Sequence, residues 1–408
     1  MPSDSIVQAV TSAPSYPRIP SCVGVVSSPV LRLDGTVAMG PGYDPQTGWY
    51  IETRCEYPPL MPPEQAFALL DDILLDFPWA AASHKSACLA ALITLVARGA
   101  YEGCTPSFLF DGNRSRIGKG LETDVITMIS EGRKAARQIY SKSHEEMRKL
   151  LTTTCIGGSP YLIFDNVRGS FGHGPLEMML TTGRWTDRIL GVNQNVDLPV
   201  NVVVMATGNN IRVVGDMPGR IITCRLETDL EKPRERTGFK YPDLLGHVKD
   251  NRPLLVVAAL SIPAAYIKAG SPTQKLKAFG GFEQWSALVR GCLVWAGRPD
   301  PLETLPQKPA EVRVEDEREE LRALMAAWSE LQQPPCTLAY VFGLLDQSPD
   351  KRYPIMRAFL AARPKDRSRE TFIAYLLRHY RGRILDSKRF EHDTRKTPKW
   401  FLEQVGGV

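Results

Sequence analysis

Residues 107–125 read SFLFDGNRSRIGKGLETDV, an apolar run that gives way to polar residues and glycines and then to helix-forming residues. A phosphate-binding loop has the pattern of a Gly, four residues of any kind, and Gly-Lys followed by Ser or Thr. Gly118 and Lys119 match this pattern, but Asn113 stands at the first Gly position and Gly120 at the hydroxyl position. Taken alone, the stretch is compatible with a phosphate-binding loop and equally with a basic turn.

The neighbouring sequence favours the loop. Short apolar runs (PSFLF, PYLIF, VNVVVMA, RIITCRL) alternate with helical segments, which predicts an α/β fold with a parallel sheet. The loop then follows a strand at 107–110 and precedes a helix at 121–131, whose N-terminal N–H groups would bind phosphate. We expect Lys119 to be exposed in the empty site and to reach the terminal phosphates of ATP. The predicted nucleotide contacts are Asn113, Arg114, Ser115, Arg116, Ile117, Gly118, Lys119, Gly120 and Leu121.

Polar residues end the two strands that follow. YLIFDN places Asp165 at a strand end, the Walker B pattern, in which a carboxylate holds Mg²⁺ directly or through water. Its neighbour is Asn166 and not the Glu that usually activates water. The strand ending in ATGNN places Asn209 where an amide could orient that water. A capping carboxylate and a Gly-Asn-Asn turn are the structural alternatives.

Composition describes a globular chain of 408 residues with 43% hydrophobic residues, enough for one large core or two to three smaller ones. The longest apolar stretch, 87–97, is shorter than the roughly 20 residues of a membrane-spanning helix. The N-terminus lacks the pattern of a secretion signal, so a cytoplasmic location is expected. None of the eight cysteines form a C-x-x-C pair, which favours reduced core residues over a zinc site.

Positive charge is concentrated near the C-terminus. Residues 351–399 contain 15 Lys and Arg against 5 Asp and Glu, whereas the whole chain carries a net charge of only +5. Such a local excess predicts contact with nucleic acid, and a solvated basic face is the alternative.

The segments DGNRSRIGKG, YLIFDNVRGSFGHGPLEMMLTTGRWTDRILG and VVVMATGNNIRVVGDMPGRIITCRLE together resemble the AAA+ ATPase core of phage and plasmid replication proteins of the primase-helicase type, which are related to superfamily three helicases. The resemblance covers roughly residues 20–305. It implies a homo-oligomeric ring, expected to be a hexamer, with ATP bound between neighbouring subunits and single-stranded DNA in a central pore.

The resemblance also implies roles for single residues. Lys119 matches the Walker A lysine, Asp165 the Walker B aspartate and Asn209 the sensor asparagine. GDMPGR matches a stretch that ends in paired arginines in the family. Arg220 is therefore the first candidate for an arginine finger acting on a neighbour's phosphate, and Arg225 is the second.

Two further segments are candidate DNA contacts. GRWTDRILGVNQNVDLP occupies the place of a pore hairpin in such ATPases, where Arg184, Trp185 and Arg188 would bind single strands, although Trp185 could equally be a core residue. RETFIAYLLRHYRGRILDSKRFEHDTRKTPKWFLE predicts a helix and a two-stranded turn that resemble a winged-helix module. Its candidate contacts with duplex DNA are Arg381, Arg383, Lys388, Arg389, Arg395, Lys396 and Lys399.

The sequence therefore predicts an N-terminal arm (1–61), an AAA+ core (62–305) and a C-terminal DNA-binding domain (306–408). The function expected is that of an ATP- and Mg²⁺-dependent DNA helicase or translocase of a mobile element, with priming supplied by a primase or polymerase partner. Two alternatives stay open. One is an ATP-switched DNA-binding ring, such as a loader or an origin-binding scaffold, and the other is a nucleotide-inactive structural protein that binds DNA.

Overall fold

Short strands and helices alternate along the chain in this computed structural model. It describes residues 3, 5, 20, 22–53, 55–188, 195–230, 233–306, 309–349, 351–361, 363, 368–393 and 397–405, without the side chains of 309–319. The strands are β1 (Gly24–Val26), β2 (Val30–Leu31), β3 (Val37–Ala38), β4 (Gly42–Tyr43), β5 (Trp49–Ile51), β6 (Ser107–Gly112), β7 (Arg137–Gln138), β8 (Tyr161–Val167), β9 (Ser170–Phe171), β10 (Arg184–Arg188), β11 (Asn195–Pro199), β12 (Val203–Gly208), β13 (Arg212–Val213), β14 (Ile221–Leu226), β15 (Lys388–His392) and β16 (Trp400–Gln404).

The helices frame these strands, and a π-helical turn, Ser286–Arg290, joins two short ones. They are α1 (Pro63–Ile73), α2 (Ala82–Val96), α3 (Lys119–Glu131), α4 (His144–Ile156), α5 (Gly174–Thr182), α6 (Leu244–Asp250), α7 (Arg252–Lys268), α8 (Glu283–Trp285), α9 (Gly291–Trp295), α10 (Pro309–Leu331), α11 (Leu338–Gln347), α12 (Pro354–Ala361) and α13 (Arg369–Tyr380).

A five-stranded sheet in the order β14-β6-β12-β8-β7 lies at the centre of the fold, and every adjacent pair of its strands is parallel. The α/β class with a parallel sheet, expected from the sequence, is confirmed. Strand β12 lies between β6 and β8. Since parallel strands end at one edge, the turn after β12 is placed between the loop that follows β6 and the carboxylate at the end of β8.

Burial explains why these segments form helices. Helix α2 is apolar on all sides and is buried from Ser86 to Val96, as expected of a helix inside a core. Helix α1 buries Phe67 and Leu70, and Leu74 just beyond its end is also buried. At the start of α4, the Ser143 side chain accepts a hydrogen bond from the main-chain N–H of Glu146 at 3.4 Å, which is the N-cap half of a capping box.

The chain divides into two compact units, residues 1–308 and 309–408. The second unit has its own apolar core, to which α10 contributes Leu321, Leu324, Trp328 and Leu331. Its last helix, α13, is followed by the antiparallel pair β15 and β16, which is the helix and two-stranded turn expected from the sequence. The division into an arm, an ATPase core and a DNA-binding domain stays a prediction. No helix in the described part of the chain is both long and apolar enough to span a bilayer.

Candidate nucleotide-binding site

The loop between β6 and α3 turns back on itself at two residues in the left-handed region of backbone conformation. Arg116 has φ 60° and Gly118 has φ 123°. A glycine is favoured at Gly118 because side chains with a Cβ rarely adopt this conformation. The buried Ile117 fixes the loop between these two turns. Helix α3 begins at Lys119, and the first N–H groups of a helix have no partner within it, which makes its N-terminus an anion site.

Asn113 anchors the loop at the position where the motif has its first Gly. Its side-chain amide donates to the carbonyl of Thr228 at 3.0 Å, and its side-chain oxygen accepts from the Thr228 N–H at 3.2 Å. The loop is therefore tied to the segment that follows β14. This departure from the motif replaces a flexible glycine with a fixed attachment.

Lys119 is buried, with 8% of its surface exposed, so the expectation that it is exposed was wrong. Its Nζ donates to the carbonyl of Arg114 at 2.9 Å and to Asn209 Oδ1 at 2.7 Å. Burial lowers the pKa of Lys119. The ammonium group lies inside the loop, next to the end of β12, where it would meet a phosphate bound at the helix N-terminus.

Asp165 is held by two donors at the end of β8. Arg137 Nη1 and Thr207 Oγ1 each donate to its Oδ1 at 2.8 Å. The other nitrogen of Arg137, Nη2, donates to the carbonyl of Gly120 at 2.9 Å and to Asp124 Oδ1 at 2.8 Å. One guanidinium thus joins the first turn of α3 to the Walker B position. Sequence reasoning missed Arg137, because it lies in the short strand β7 outside any motif.

The residues around Asp165 supply few of the protein ligands that Mg²⁺ could use. Mg²⁺ needs near-octahedral oxygen ligands, usually one or two carboxylates with waters and substrate phosphates. Position 120 offers no hydroxyl, and the nearest one, Thr123 Oγ1, donates to the Gly120 carbonyl at 2.9 Å. Within the described residues, no group of three or more His, Cys, Asp or Glu side chains is placed to hold a metal. In this structure the partner of Asp165 is a guanidinium, and its expected role as a metal ligand stays a prediction.

Asn166 has a backbone reason to be Asn rather than Glu. Its φ is 50°, in the left-handed region, which Asn tolerates better than most residues. Its N–H donates to Thr207 Oγ1 at 2.9 Å, and its side chain is exposed beside the site. The backbone conformation at position 166 therefore favours Asn over the Glu that usually activates water.

The two arginine-finger candidates lie at opposite ends of strand β14. Arg225, near the carboxyl end of β14, pairs with the buried Asp111 of β6 and donates to Asn210 Oδ1 at 3.1 Å, beside the loop of its own subunit. Arg220 precedes β14, and its carbonyl accepts from the N–H of Ser107 at the start of β6. Its Nη1 is 3.5 Å from Asp216, and its side chain is 23% exposed. Arg220 thus lies at the opposite end of β14 from the end that adjoins the loop.

An apolar cavity of about 430 Å³ adjoins the loop at Arg116 and Gly118. Its walls combine the end of α1, the buried Ile117 and the segment 233–245. Two aromatic residues of that segment, Phe239 and Tyr241, line the cavity. Phe239 is exposed, and the Tyr241 hydroxyl donates to Asp72 on α1. A second cavity of about 470 Å³ is lined by residues 115–121 of the loop except Ile117, together with Asp165, Asn166 and 207–209. In the sequence, two aromatic residues within a polar stretch are the only signal that indicates the apolar cavity.

The predicted pore hairpin forms an antiparallel pair, β10 with β11, and its tip at 189–194 lies outside the described residues. Trp185 is fully buried and its Nε1 donates to Thr152 Oγ1 at 2.9 Å, so the expected stacking role of Trp185 on DNA bases is corrected to a core role. Arg184 is exposed and pairs with Asp197 at 2.9 Å. Arg188 is exposed at the last described position before the tip.

The C-terminal candidates surround the β15–β16 hairpin. Arg381 pairs with Glu391 at 3.1 Å and Arg389 with Glu403 at 2.8 Å. Arg383 lies 5.6 Å from the ring centre of Tyr380. Lys388 and Lys399 are partly exposed, whereas Arg395 and Lys396 lie outside the described residues. The structure brings Arg381, Arg383, Lys388, Arg389 and Lys399 near one hairpin, and their contact with DNA stays a prediction.

Comparisons with known proteins give weak structural similarities. No protein-family model matches the chain, and no curated protein sequence matches it significantly. The fold is similar to the A form apo structure of the NrS-1 C-terminal region, with 13% identity over 91% of this chain and 86% of that chain and a TM-score of 0.41. An inhibitor-bound JCV helicase is 12% identical over 58% of this chain and 66% of that chain, with a TM-score of 0.24. Because both scores are below 0.5, neither similarity assigns a role to a residue.

Proposed function

We propose that the chain binds ATP at the 113–121 loop and acts on DNA as an oligomeric ATPase of the helicase or translocase type in the replication of a mobile element. The observation that carries this proposal is Lys119, a lysine buried at the N-terminus of α3 in the wall of a cavity of about 470 Å³. A buried lysine is costly unless it has a charged or strongly polar partner. In the described residues its partners are neutral oxygens, which a triphosphate would replace with charged ones.

The two cavities supply the two halves of a nucleotide site. The apolar cavity beside Phe239 and Tyr241 would take the adenine, since ligand pockets are mostly apolar with a few polar groups. The cavity along the loop would take the phosphates, which the helix N-terminus and Lys119 bind. In hydrolysis, water attacks the γ-phosphorus and the bond to the β-phosphate oxygen breaks, giving ADP and phosphate. Asn209 would position that water, because its side chain lies beside Lys119.

The position of Arg220 favours an oligomer. A finger that lies at the opposite edge of the sheet from its own loop can act only on a neighbour's nucleotide, as in a ring with a head-to-tail interface. We propose a ring, with six subunits as the working number, in which Arg184 and Arg188 face single-stranded DNA. The hairpin β15–β16 and helix α13 would form the winged-helix module that binds duplex DNA.

A second function, an ATP switch that assembles a DNA-bound ring without processive unwinding, is favoured by a specific observation. Asp165, which would act in turnover, is engaged by Arg137, and Asn166 replaces the usual water-activating Glu. Both features predict slow hydrolysis after normal binding. A nucleotide-inactive DNA-binding scaffold is the third candidate, and it predicts no nucleotide binding.

One set of measurements separates the three. ATP turnover with and without DNA, strand displacement on a forked duplex, and particle size with and without ATP are measured on the full chain. DNA-stimulated turnover with strand displacement supports the helicase. ATP-dependent assembly without displacement supports the switch, and no response to ATP in any of the three measurements contradicts both.

A further inference from the structure

The guanidinium of Arg137 occupies the place where a cation of the phosphate site is needed. It lies between the carbonyl of Gly120, in the first turn of α3, and the carboxylate of Asp165, at the end of β8. Asp124 holds it from a third side at 2.8 Å. These contacts span the gap between the phosphate loop and the Walker B position, which is the gap that a metal ion bridges in nucleotide sites of this pattern.

The residue at position 120 is matched to this guanidinium. A Cβ at Gly120 would lie 2.9 Å from Nη1 and 3.4 Å from Nη2 of Arg137, so a Ser or Thr there would displace the arginine. The glycine therefore has two consequences: it removes the hydroxyl that would bind Mg²⁺, and it makes room for the cation that takes its place.

An arginine suits this place chemically. It keeps its charge at any physiological pH and binds carboxylate and phosphate oxygens through several N–H donors. Two carboxylates orient the group, and its side chain remains 25% exposed. It lines a cavity of about 680 Å³ that shares Asp165 and Asn166 with the phosphate cavity. A terminal phosphate beside Asp165 would come within reach of this guanidinium.

We propose that Arg137 is the resident cation of the phosphate site and that, resting on the proposed function, the triphosphate of ATP binds between Lys119 and Arg137 without Mg²⁺. Binding of the nucleotide then requires no divalent metal. Mg²⁺ becomes a ligand of this site only when Arg137 is removed.

The direct test uses the wild-type chain and no variant. A fluorescent N-methylanthraniloyl derivative of ATP is titrated with protein, and its anisotropy is followed in EDTA and in excess Mg²⁺. We expect dissociation constants that agree within about twofold, because the fixed guanidinium supplies charge-assisted hydrogen-bond donors at this place. Binding in Mg²⁺ that weakens more than about tenfold in EDTA overturns the inference and leaves the proposed function standing.

Two variants sharpen the test. Arg137→Ala should bind at least about tenfold more weakly in EDTA and regain affinity with Mg²⁺, since removing a charge-assisted hydrogen-bond donor costs about that factor. Gly120→Ser combined with Arg137→Ala restores the hydroxyl and should increase the Mg²⁺ dependence further. Arg148→Ala, an exposed arginine on α4 that pairs with Asp187, is the matched control and should behave as wild type in both buffers.

Two other outcomes would overturn the inference. If Arg137→Ala melts like wild type and binds ATP equally well in EDTA, Arg137 is not the resident cation and the inference is wrong. If wild type binds ATP in neither buffer, the proposed function fails and the inference fails with it. Lys119→Ala, measured in parallel, should bind weakly in both buffers, which distinguishes loss of the loop from loss of the cation.

Discussion

The carboxyl edge of the parallel sheet and the C-terminal hairpin are both rich in basic residues, but they hold them differently. At the sheet edge, Lys119 and Arg137 are buried or half-buried, and each is bonded to named partners on other elements. At the hairpin, Arg381 and Arg389 pair with acids on the surface, with side chains 48% and 38% exposed. Buried charges depend strongly on their partners, whereas surface ion pairs contribute little. We therefore expect large effects from single changes at the sheet edge, and graded effects at the hairpin.

The largest effect is expected for Lys119→Ala. Loss of the buried ammonium should reduce ATP affinity by about 100-fold, since removing one partner of a buried hydrogen-bonded charge pair costs a few kcal/mol. Turnover should fall to background. Calorimetric titration with ATP measures the change, and Lys149→Ala, a partly exposed lysine paired with Glu145 and Glu146, is the control. Near-normal affinity in a folded Lys119→Ala protein would remove the basis of the phosphate-loop assignment.

Arg220→Ala should lower turnover by about 1000-fold without weakening ATP binding, because a finger contributes to the transition state of a neighbour's site. Mixing Arg220→Ala and Lys119→Ala subunits in equal amounts should leave about a quarter of the interfaces with both residues intact. Steady-state turnover of the mixture should therefore exceed that of either variant alone. Mixed rings without any recovery, verified by size measurement, would count against a finger supplied by the neighbour.

Glu122 is a buried acid in the first turn of α3, close to the carboxyl edge of the sheet. Neither of its carboxylate oxygens has a hydrogen-bond partner within the described residues, and burial raises its pKa well above the ordinary value. A raised folded-state pKa means that its contribution to stability is complete below the unfolded pKa of about 4.3 and is lost as the pH rises.

Glu122→Gln should therefore flatten the fall of the melting temperature between pH 5 and pH 8. At pH 8 it should melt about 2 °C or more above wild type. Scanning calorimetry across this range measures both quantities. Glu145→Gln, an exposed acid that pairs with Lys149, is the control, and an identical pH profile for wild type and Glu122→Gln would show that Glu122 ionises in the folded chain without cost.

The smallest effects are expected at the hairpin. Replacing Lys388, Arg389 and Lys399 together by Gln should weaken duplex DNA binding about three- to tenfold at moderate salt, and each lost phosphate contact should reduce the slope of log affinity against log salt by about 0.9. Each single replacement should change affinity less than about twofold, as expected of exposed charges. Fluorescence anisotropy at four salt concentrations measures the slope. An unchanged slope in the triple variant would move duplex binding away from this hairpin.

Local sequence patterns predicted the elements that depend on local rules. The strand before the loop, the helix after it and the parallel sheet follow from the alternation of apolar runs with helical segments and from the glycines of the loop. The placement of Lys119 near Asn209 followed from the rule that parallel strands end at the same edge. Local patterns and this one rule are enough to predict these features without any information on contacts between distant segments.

The features that were missed depend on packing between distant segments. Arg137 reaches Asp165 only because β7 pairs with β8, and the apolar cavity forms only because the segment 233–245 folds back onto α1. For Trp185 the DNA-contact and core roles both stayed open, because the alternation along a hairpin does not reveal which face is covered. Thr152 of α4 covers it and accepts its indole N–H. Side-chain burial across elements, and not motif spacing, decides all three cases.

The most direct test of the account is photo-crosslinking with 8-azido-ATP, followed by mass spectrometry of the peptides. The account predicts that the adduct lies in the segment 233–245 or at the end of α1 around Phe77, that unlabelled ATP competes for it, and that Lys119→Ala abolishes it. An adduct confined to residues 309–408, or labelling that ATP does not compete, would contradict the claim that this chain binds ATP between its phosphate loop and its apolar cavity.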